Sequence, residues 1–286
     1  MKTKKLLLFF FIIFGFLLLS SLFTVVYAIS TVGTSSDIRI FDNASNRYTF
    51  YDATYNYHYV FYTNGSMIGY KSSADGSSWS SFIVVVTETS DMDMFSTWWN
   101  GTHVSYAYSD SAGAGSEKIW YCQGTTNSSG LITFGSESTA VGTYAGTTYA
   151  RVYVFQDSSH FPVVCYLRNK PTPTALQEPW VKKATNTDGS TWGTAVSMND
   201  TDSANWRVMG VPLTNRFYMV IYGRDSDKLK AKLWNQTASA YSSEVTISTS
   251  LIQYNTGFSA VAIGDNVYAV FKPSTVHGIK FVNFRV

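Results

Sequence analysis

The chain has 286 residues, with 21 Lys and Arg against 19 Asp and Glu, and only 14% of its residues are charged. Three of the basic residues fall in the first 28 positions, which contain no acid, so the other 258 carry 18 basic against 19 acidic side chains. That balance leaves no basic stripe to neutralise phosphates and excludes a nucleic-acid partner, while the abundance of Ser, Thr, Asn, Gly and Tyr favours short strands and polar turns over long surface helices.

In chain order, the first element is an export segment. Lys2, Lys4 and Lys5 precede an apolar run over residues 6–26, and Val26-Tyr27-Ala28 offers the small residues that a signal peptidase reads. The run spans 21 residues, so it would also cross a bilayer if left uncleaved. Residues 1–28 are therefore expected to be a signal peptide or an N-terminal anchor, with membrane contact only through that segment. Residues 29–286 are expected to form one secreted or cell-surface domain, monomeric and large enough to bury its own core. The glycosylation sequons at Asn43, Asn64, Asn100, Asn127, Asn199 and Asn235 fit an exported chain.

Beyond the export segment the chain repeats. A strand that opens on a polar residue and alternates apolar or aromatic side chains begins at His58, His103, His160, Arg216 and Asn266, at spacings of 45, 57, 56 and 50 residues. Each copy is preceded by another strand (RYTFYD, MFSTWWN, RVYVFQD, RVMGVPL, FSAVAIG) and followed by a third (MIGYKSS, KIWYCQG, PWVKKAT, LKAKLWN, GIKFVNF). A turn with an aromatic at Trp79, Phe134, Trp192 or Tyr241 then leads to a fourth strand in the first four units. Four antiparallel strands at this period predict an all-β fold, a β-propeller of four-stranded blades. The fifth unit ends after its third strand, and the spare strand SDIRIFD at residues 36–42 could complete it. Five blades closed by that N-terminal strand are expected, because closure removes an open sheet edge; a truncated larger ring is the alternative. Cys122 and Cys165 are either a disulfide of an oxidising compartment or two buried thiols. His58, His103 and His160 share one repeat position, which scatters them around the ring, so neither a metal nor another cofactor is expected.

Two of the turns stand out. SSADGSSW, with Asp75, Gly76 and Trp79, and TNTDGSTW, with Asp188, Gly189 and Trp192, both lie between a third and a fourth strand. Asp-Gly supplies the left-handed backbone of a tight turn, the carboxylate can accept backbone N–H groups, and the indole can pack the turn onto its sheet. These phrases resemble the Asp-box hairpin (Ser-x-Asp-x-Gly-x-Thr-Trp) of the sialidase-like β-propellers, also called BNR repeats, although Asp75 and Asp188 directly precede their glycines. In that family the box lies at the periphery, so the resemblance implies a fold role for these residues.

A propeller binds ligand along its axis, so the residues that open the innermost strands are the candidate site: Arg47, Asp91 and Asp93, Tyr149 with Arg151, Trp206 with Arg207, and Tyr254. The resemblance implies an arginine clamp for a substrate carboxylate (Arg47, Arg151, Arg207), Asp91 or Asp93 as general acid, and Tyr254 as nucleophile. No Glu stands beside Tyr254 to activate it. An arabinanase-like or fructosidase-like mechanism needs carboxylates on several inner strands, and only the second unit supplies them. The expectation is a propeller that binds an extracellular or cell-surface glycan or other polymer. A sialidase-type exo-glycosidase is the first alternative and a structural adhesion module the second.

Overall fold

The structure, a computed structural model, describes residues 31–32, 47–64, 67–87, 95–110, 115–169, 177–198, 205–224, 228–249, 258–271 and 279–285. Residues 1–31 form one unit and residues 32–286 a second. The strands among the described residues belong to the second, and they make five antiparallel sheets in chain order.

The first sheet is β1 (Thr49–Asp52), β2 (Tyr57–Asn64), β3 (Met67–Ser73) and β4 (Ile83–Thr87). The second is β5 (Phe95–Trp99), β6 (Val104–Ser109), β7 (Ile119–Thr126), β8 (Ile132–Phe134) and β9 (Ser138–Val141). The third is β10 (Thr148–Gln156), β11 (Pro162–Asn169), β12 (Gln177–Lys183) and β13 (Val196–Ser197). The fourth is β14 (Asn205–Pro212), β15 (Tyr218–Arg224), β16 (Lys228–Asn235), β17 (Ala240–Tyr241) and β18 (Val245–Ser248). The fifth, among the described residues, is β19 (Phe258–Ile263), β20 (Asn266–Phe271) and β21 (Lys280–Arg285). The strand expected over residues 36–42 lies outside the described residues, as do Asp91, Asp93 and Tyr254.

In the second and fourth sheets the fourth strand comes in two parts. Both β8 and β9 pair with β7, and both β17 and β18 pair with β16. The turn before the fourth strand is nevertheless closed in one way throughout. In every unit with a fourth strand, the residue after the turn's aromatic donates its N–H back to the third strand: Ser80 to the Ser72 carbonyl, Gly135 to Gln123, Gly193 to Lys183 and Ser242 to Leu233, at 2.8–2.9 Å. One repeated hydrogen bond thus closes all four turns, whatever the residues between.

Successive sheets stack through aromatic rings, which fill the wedge between twisted layers. Phe50 of β1 stacks on Trp99 of β5 at 4.8 Å, and Phe155 of β10 meets Trp98 of β5 at 6.2 Å and Tyr218 of β15 at 5.3 Å. Tyr59, Tyr70, Tyr121, Tyr153, Tyr166, Tyr218 and Tyr222 are fully buried, and burying a side chain of this size contributes roughly 1.5–3 kcal/mol. Cys122 and Cys165 are free thiols, which corrects the disulfide alternative: one is buried on β7 and the other on β11, in different sheets. Burial pushes both thiols' pKa values up, so they act as small apolar side chains. Among the described residues no helix is long and apolar enough to cross a membrane.

The two Asp-Gly turns are built as their chemistry predicts. Gly76 and Gly189 have φ of +70° and +73°, where only glycine is unstrained. The Asp75 carboxylate accepts the backbone N–H groups of Ser77 (2.8 Å) and Ser78 (2.7 Å), and that of Asp188 accepts Ser190 (2.9 Å). The turns differ in their surroundings. A Cβ on Gly76 would come no nearer than 3.9 Å to His58, whereas one on Gly189 would lie 2.2 Å from the Tyr121 ring. Trp192 caps that second turn, edge-on to Tyr121 at 5.4 Å, and its indole N–H reaches the Ser138 hydroxyl. Trp79 is half-buried.

Candidate functional site

The innermost strands are β1, β5, β10, β14 and β19, and their two ends are built differently. At the amino ends, β10 and β14 each carry a β-bulge, between Ala150 and Tyr153 and between Asn205 and Val208. A bulge sets two residues against one and re-aims their side chains. Arg151 is the first of the two bulged residues of β10, and Arg207 the second of the two in β14. Arg151 takes a left-handed φ of +54° and is half-buried, whereas Arg207 is buried. The backbone of Trp206 lies in the same bulge as Arg207.

Arg47 reaches furthest across. Its carbonyl accepts the Thr97 N–H (3.0 Å) and hydroxyl (2.8 Å), and its guanidinium lies 4.2 Å above the Trp98 ring. Its charge also acts on the buried Tyr153 hydroxyl, opposing the upward pKa shift that burial imposes on that phenol. Arg47 therefore joins side chains of the second and third inner strands. Tyr149 turns elsewhere. Its hydroxyl donates to the Gly142 carbonyl at 2.7 Å, its ring meets Tyr166 at 90°, and its N–H donates to the buried Glu117 carboxylate at 2.6 Å.

The described Tyr–Glu pairs stand away from these strands. Tyr106 of β6 donates to Glu137 and Tyr222 of β15 donates to Glu244, both at 2.8 Å. Each pair links a second strand to the residues just before β9 or β18. Burial raises the Tyr106 pKa far above its usual value, the reverse of what an activated phenol requires.

At the carboxyl ends the sequence repeats an Asp or Asn just where the inner strand gives way to its turn. The Asp52 carboxylate accepts Thr54 N–H (2.8 Å), the Asn100 carbonyl accepts Thr102 (2.8 Å) and His103 (2.7 Å), and the Asp157 carboxylate accepts Ser159 (2.9 Å) and Phe161 (3.0 Å). These are Asx turns, in which a short polar side chain stands in for a backbone acceptor. What remains of each side chain reaches the neighbouring sheet. Asp52 accepts the Thr126 hydroxyl at 2.6 Å, and Asn100 donates to Gln156 at 2.5 Å and contacts the His160 ring at 3.1 Å. Asp157, wholly buried, pairs with Lys183 of its own sheet at 2.7 Å and with Arg216 of the next at 3.8 Å. The fourth unit has Leu213-Thr214 in place of an Asx residue, and there the tie runs backward, from Thr214 to Asp265 at 2.5 Å.

Beside the ties made by Asn100, Asp157 and Thr214 lies a cavity of about 380 Å³, lined from the carboxyl ends of four inner strands. Trp98, under the Arg47 guanidinium, and Trp99, stacked on Phe50, contribute indoles, Asn100, Gln156 and His160 an amide pair and an imidazole, and Leu213 and Ala262 an apolar wall. Its size lies within the range of small-ligand pockets, and its mixture of aromatic area and few polar groups is that of a recognition site. Among the described residues no three His, Cys, Asp or Glu side chains gather as a metal site would require.

No family model matches this chain, and no curated protein matches it. Solved structures do. A six-bladed β-propeller fungal lectin from Aleuria aurantia matches with a TM-score of 0.51 and 14% identity over 82% of this chain and 72% of that one. The Penicillium chrysogenum α-L-arabinanase matches with a TM-score of 0.58 and 12% identity over 88% and 81%. The NanB sialidase of Streptococcus pneumoniae matches with a TM-score of 0.52 and 10% identity over 90% of this chain and 61% of that one. Identities this low speak for the fold alone, and the fold is a β-propeller.

Proposed function

We propose that this chain is an exported sialidase-like β-propeller that binds an extracellular or cell-surface glycan along its axis without cleaving it. The observation that carries the reading is the axial cavity, whose lining brings two indoles, Trp98 and Trp99, beside an amide pair and an imidazole. Flat aromatic faces take the C–H side of a sugar ring, and amides and imidazoles meet its hydroxyls in either direction. Structures of the same fold include a lectin, an arabinanase and a sialidase, which makes a carbohydrate the first ligand class to test. Binding is favoured over hydrolysis because the described inner-strand acids, Asp52 and Asp157, are spent on turns and ties between sheets. The described Tyr–Glu hydrogen bonds, in turn, start from second strands and not from the innermost ones.

The fold part of the proposal is a ring of five blades, with residues 36–42 as the fourth strand of the fifth sheet. The outward side chains of that sheet, Ile263 at 68% and Phe281 at 65% exposure, are apolar and call for a neighbour. The Asp-Gly turns serve as Asp-box-like closures at the rim. Residues 1–28 export the chain.

Glycan-array binding of the full chain tests the function, together with assays for aryl aglycone release from sialosides and arabinofuranosides. The expected result is binding to at least one glycan, weakened 10-fold or more in Trp99→Ala and His160→Ala, with no aglycone released. Steady hydrolysis that disappears in Arg47→Ala or Arg151→Ala would overturn the proposal in favour of a sialidase-type glycosidase.

A further inference from the structure

We infer a second carbohydrate site, selective for neutral sugars, in the groove between the second and third sheets. The groove, about 550 Å³, runs between the β7–β8 hairpin and the Asp188-Gly189 turn of the third sheet. It is independent of the axial cavity, and the two share no lining residue.

The groove exists because of the split fourth strand. β7 pairs with β9 over Ile119–Tyr121 and with β8 over Gly124–Thr126, so Gln123 stands at the changeover. Its carbonyl is taken by the Gly135 N–H, and its side-chain amide makes no hydrogen bond to any described residue. Across from it the turn holds Asp188 firmly. Gly189 is buried against Tyr121, its carbonyl accepts the Ser138 hydroxyl at 2.6 Å, and Trp192 covers the far side. Asp188 has no cationic partner among the described residues, and the His103 imidazole makes no hydrogen bond to any of them. The hydroxyls of Thr125 and Thr133 are exposed, and the half-buried Phe134 ring completes the lining.

This set has the chemistry of a polyol site. A carboxylate accepts hydroxyl hydrogens more strongly than a neutral acceptor does. A free amide donates and accepts at once, so it suits a vicinal pair of hydroxyls. The Phe134 ring offers an apolar surface for the C–H side of a sugar. The sign of the charge sets the selectivity. No Lys or Arg lines the groove, so an acidic sugar would bring its carboxylate against Asp188 with no permanent cation to offset the repulsion. Little ordering is needed on binding, because the turn that carries Asp188 is already locked to Tyr121 and Ser138.

Calorimetric titration of the full chain tests this site. The probes are neutral pentoses, hexoses and 6-deoxyhexoses, with glucuronic and sialic acids beside them. At least one neutral sugar is expected to bind, at least 10-fold more weakly in Gln123→Ala and in Asp188→Asn; neither acidic sugar should compete for it. Asp188→Asn keeps an oxygen to accept the Ser190 N–H, and a thermal melt of each variant verifies that it is folded. Absence of neutral-sugar binding by the folded chain overturns the inference, and so does binding unaffected by both substitutions. A sugar lost only in Trp99→Ala removes the groove site and leaves the axial reading intact. A sugar lost only in the groove variants supports the groove and removes the axial reading.

Discussion

The two ends of the inner strands solve different problems with the same short segments. At the carboxyl ends one residue type recurs, Asp52, Asn100 and Asp157, and each both closes its own turn and ties its sheet to a neighbour. At the amino ends a bulged arginine occurs twice, Arg151 and Arg207, and the side chains there do unlike things: Arg151 is half-buried, Arg207 is buried, and the Tyr149 hydroxyl is turned onto the Gly142 carbonyl. The contrast teaches that a repeated residue is not by itself a shared site. The carboxyl-end residues act alike because the turn dictates their geometry; the arginines differ because a bulge sets only where they start.

That difference can be broken most forcefully at Asp157. Its carboxylate is buried between Lys183 and Arg216 and accepts two backbone N–H groups. Asp157→Ala should therefore destabilise the fold by roughly 3–5 kcal/mol in urea unfolding, since it strands buried charge; Arg151→Ala, at the opposite end, should cost far less. Gly189→Ala comes next, at roughly 3 kcal/mol, because it combines a left-handed φ with a clash against Tyr121. Gly76→Ala, with the same φ and open space around it, should cost only about 1 kcal/mol, so equal losses at the two glycines would refute the difference in packing. Asn100→Ala removes one turn and one tie without stranding a charge, and a loss of about 1–2 kcal/mol is expected in thermal unfolding.

The smallest effect lies in the exposed turns. Backbone N–H groups of Ser78 and Ser77 hold the Asp75 pKa below its ordinary value, and the N–H of Ser190 does the same for Asp188. A folded-state pKa below the unfolded one adds stability above the unfolded value, about 3.9, and that stability fades as pH falls through the lower folded value. NMR titration should find both carboxylates still ionised where free aspartate is half protonated. An ordinary titration midpoint at Asp188 would contradict the turn geometry.

The strand repeat was legible because aromatic alternation and the period survive even where identity between units is slight. The Asp-Gly turns were legible because local chemistry determines them; Gly189 touching Tyr121, 68 residues away, was not. The endings YD, WN and QD of the first three inner strands are visible in the sequence, yet they read as turn chemistry alone. Their second role depends on Thr126, Gln156 and Arg216, which lie 74, 56 and 59 residues onward. The axial cavity stayed hidden for the same reason, since its lining comes from the carboxyl ends of four strands far apart in the chain. The groove was hidden too, because a strand that changes partner at Gln123 leaves no mark in its composition.

The ties between sheets also say how such a ring can be assembled from divergent units. Each donating unit brings one Asx side chain, and what it meets next door is ordinary: a threonine hydroxyl, a glutamine amide, an arginine side chain. Where the fourth unit has no Asx residue, the fifth has one that points back. Adjacent blades therefore need not mutate in concert to remain joined.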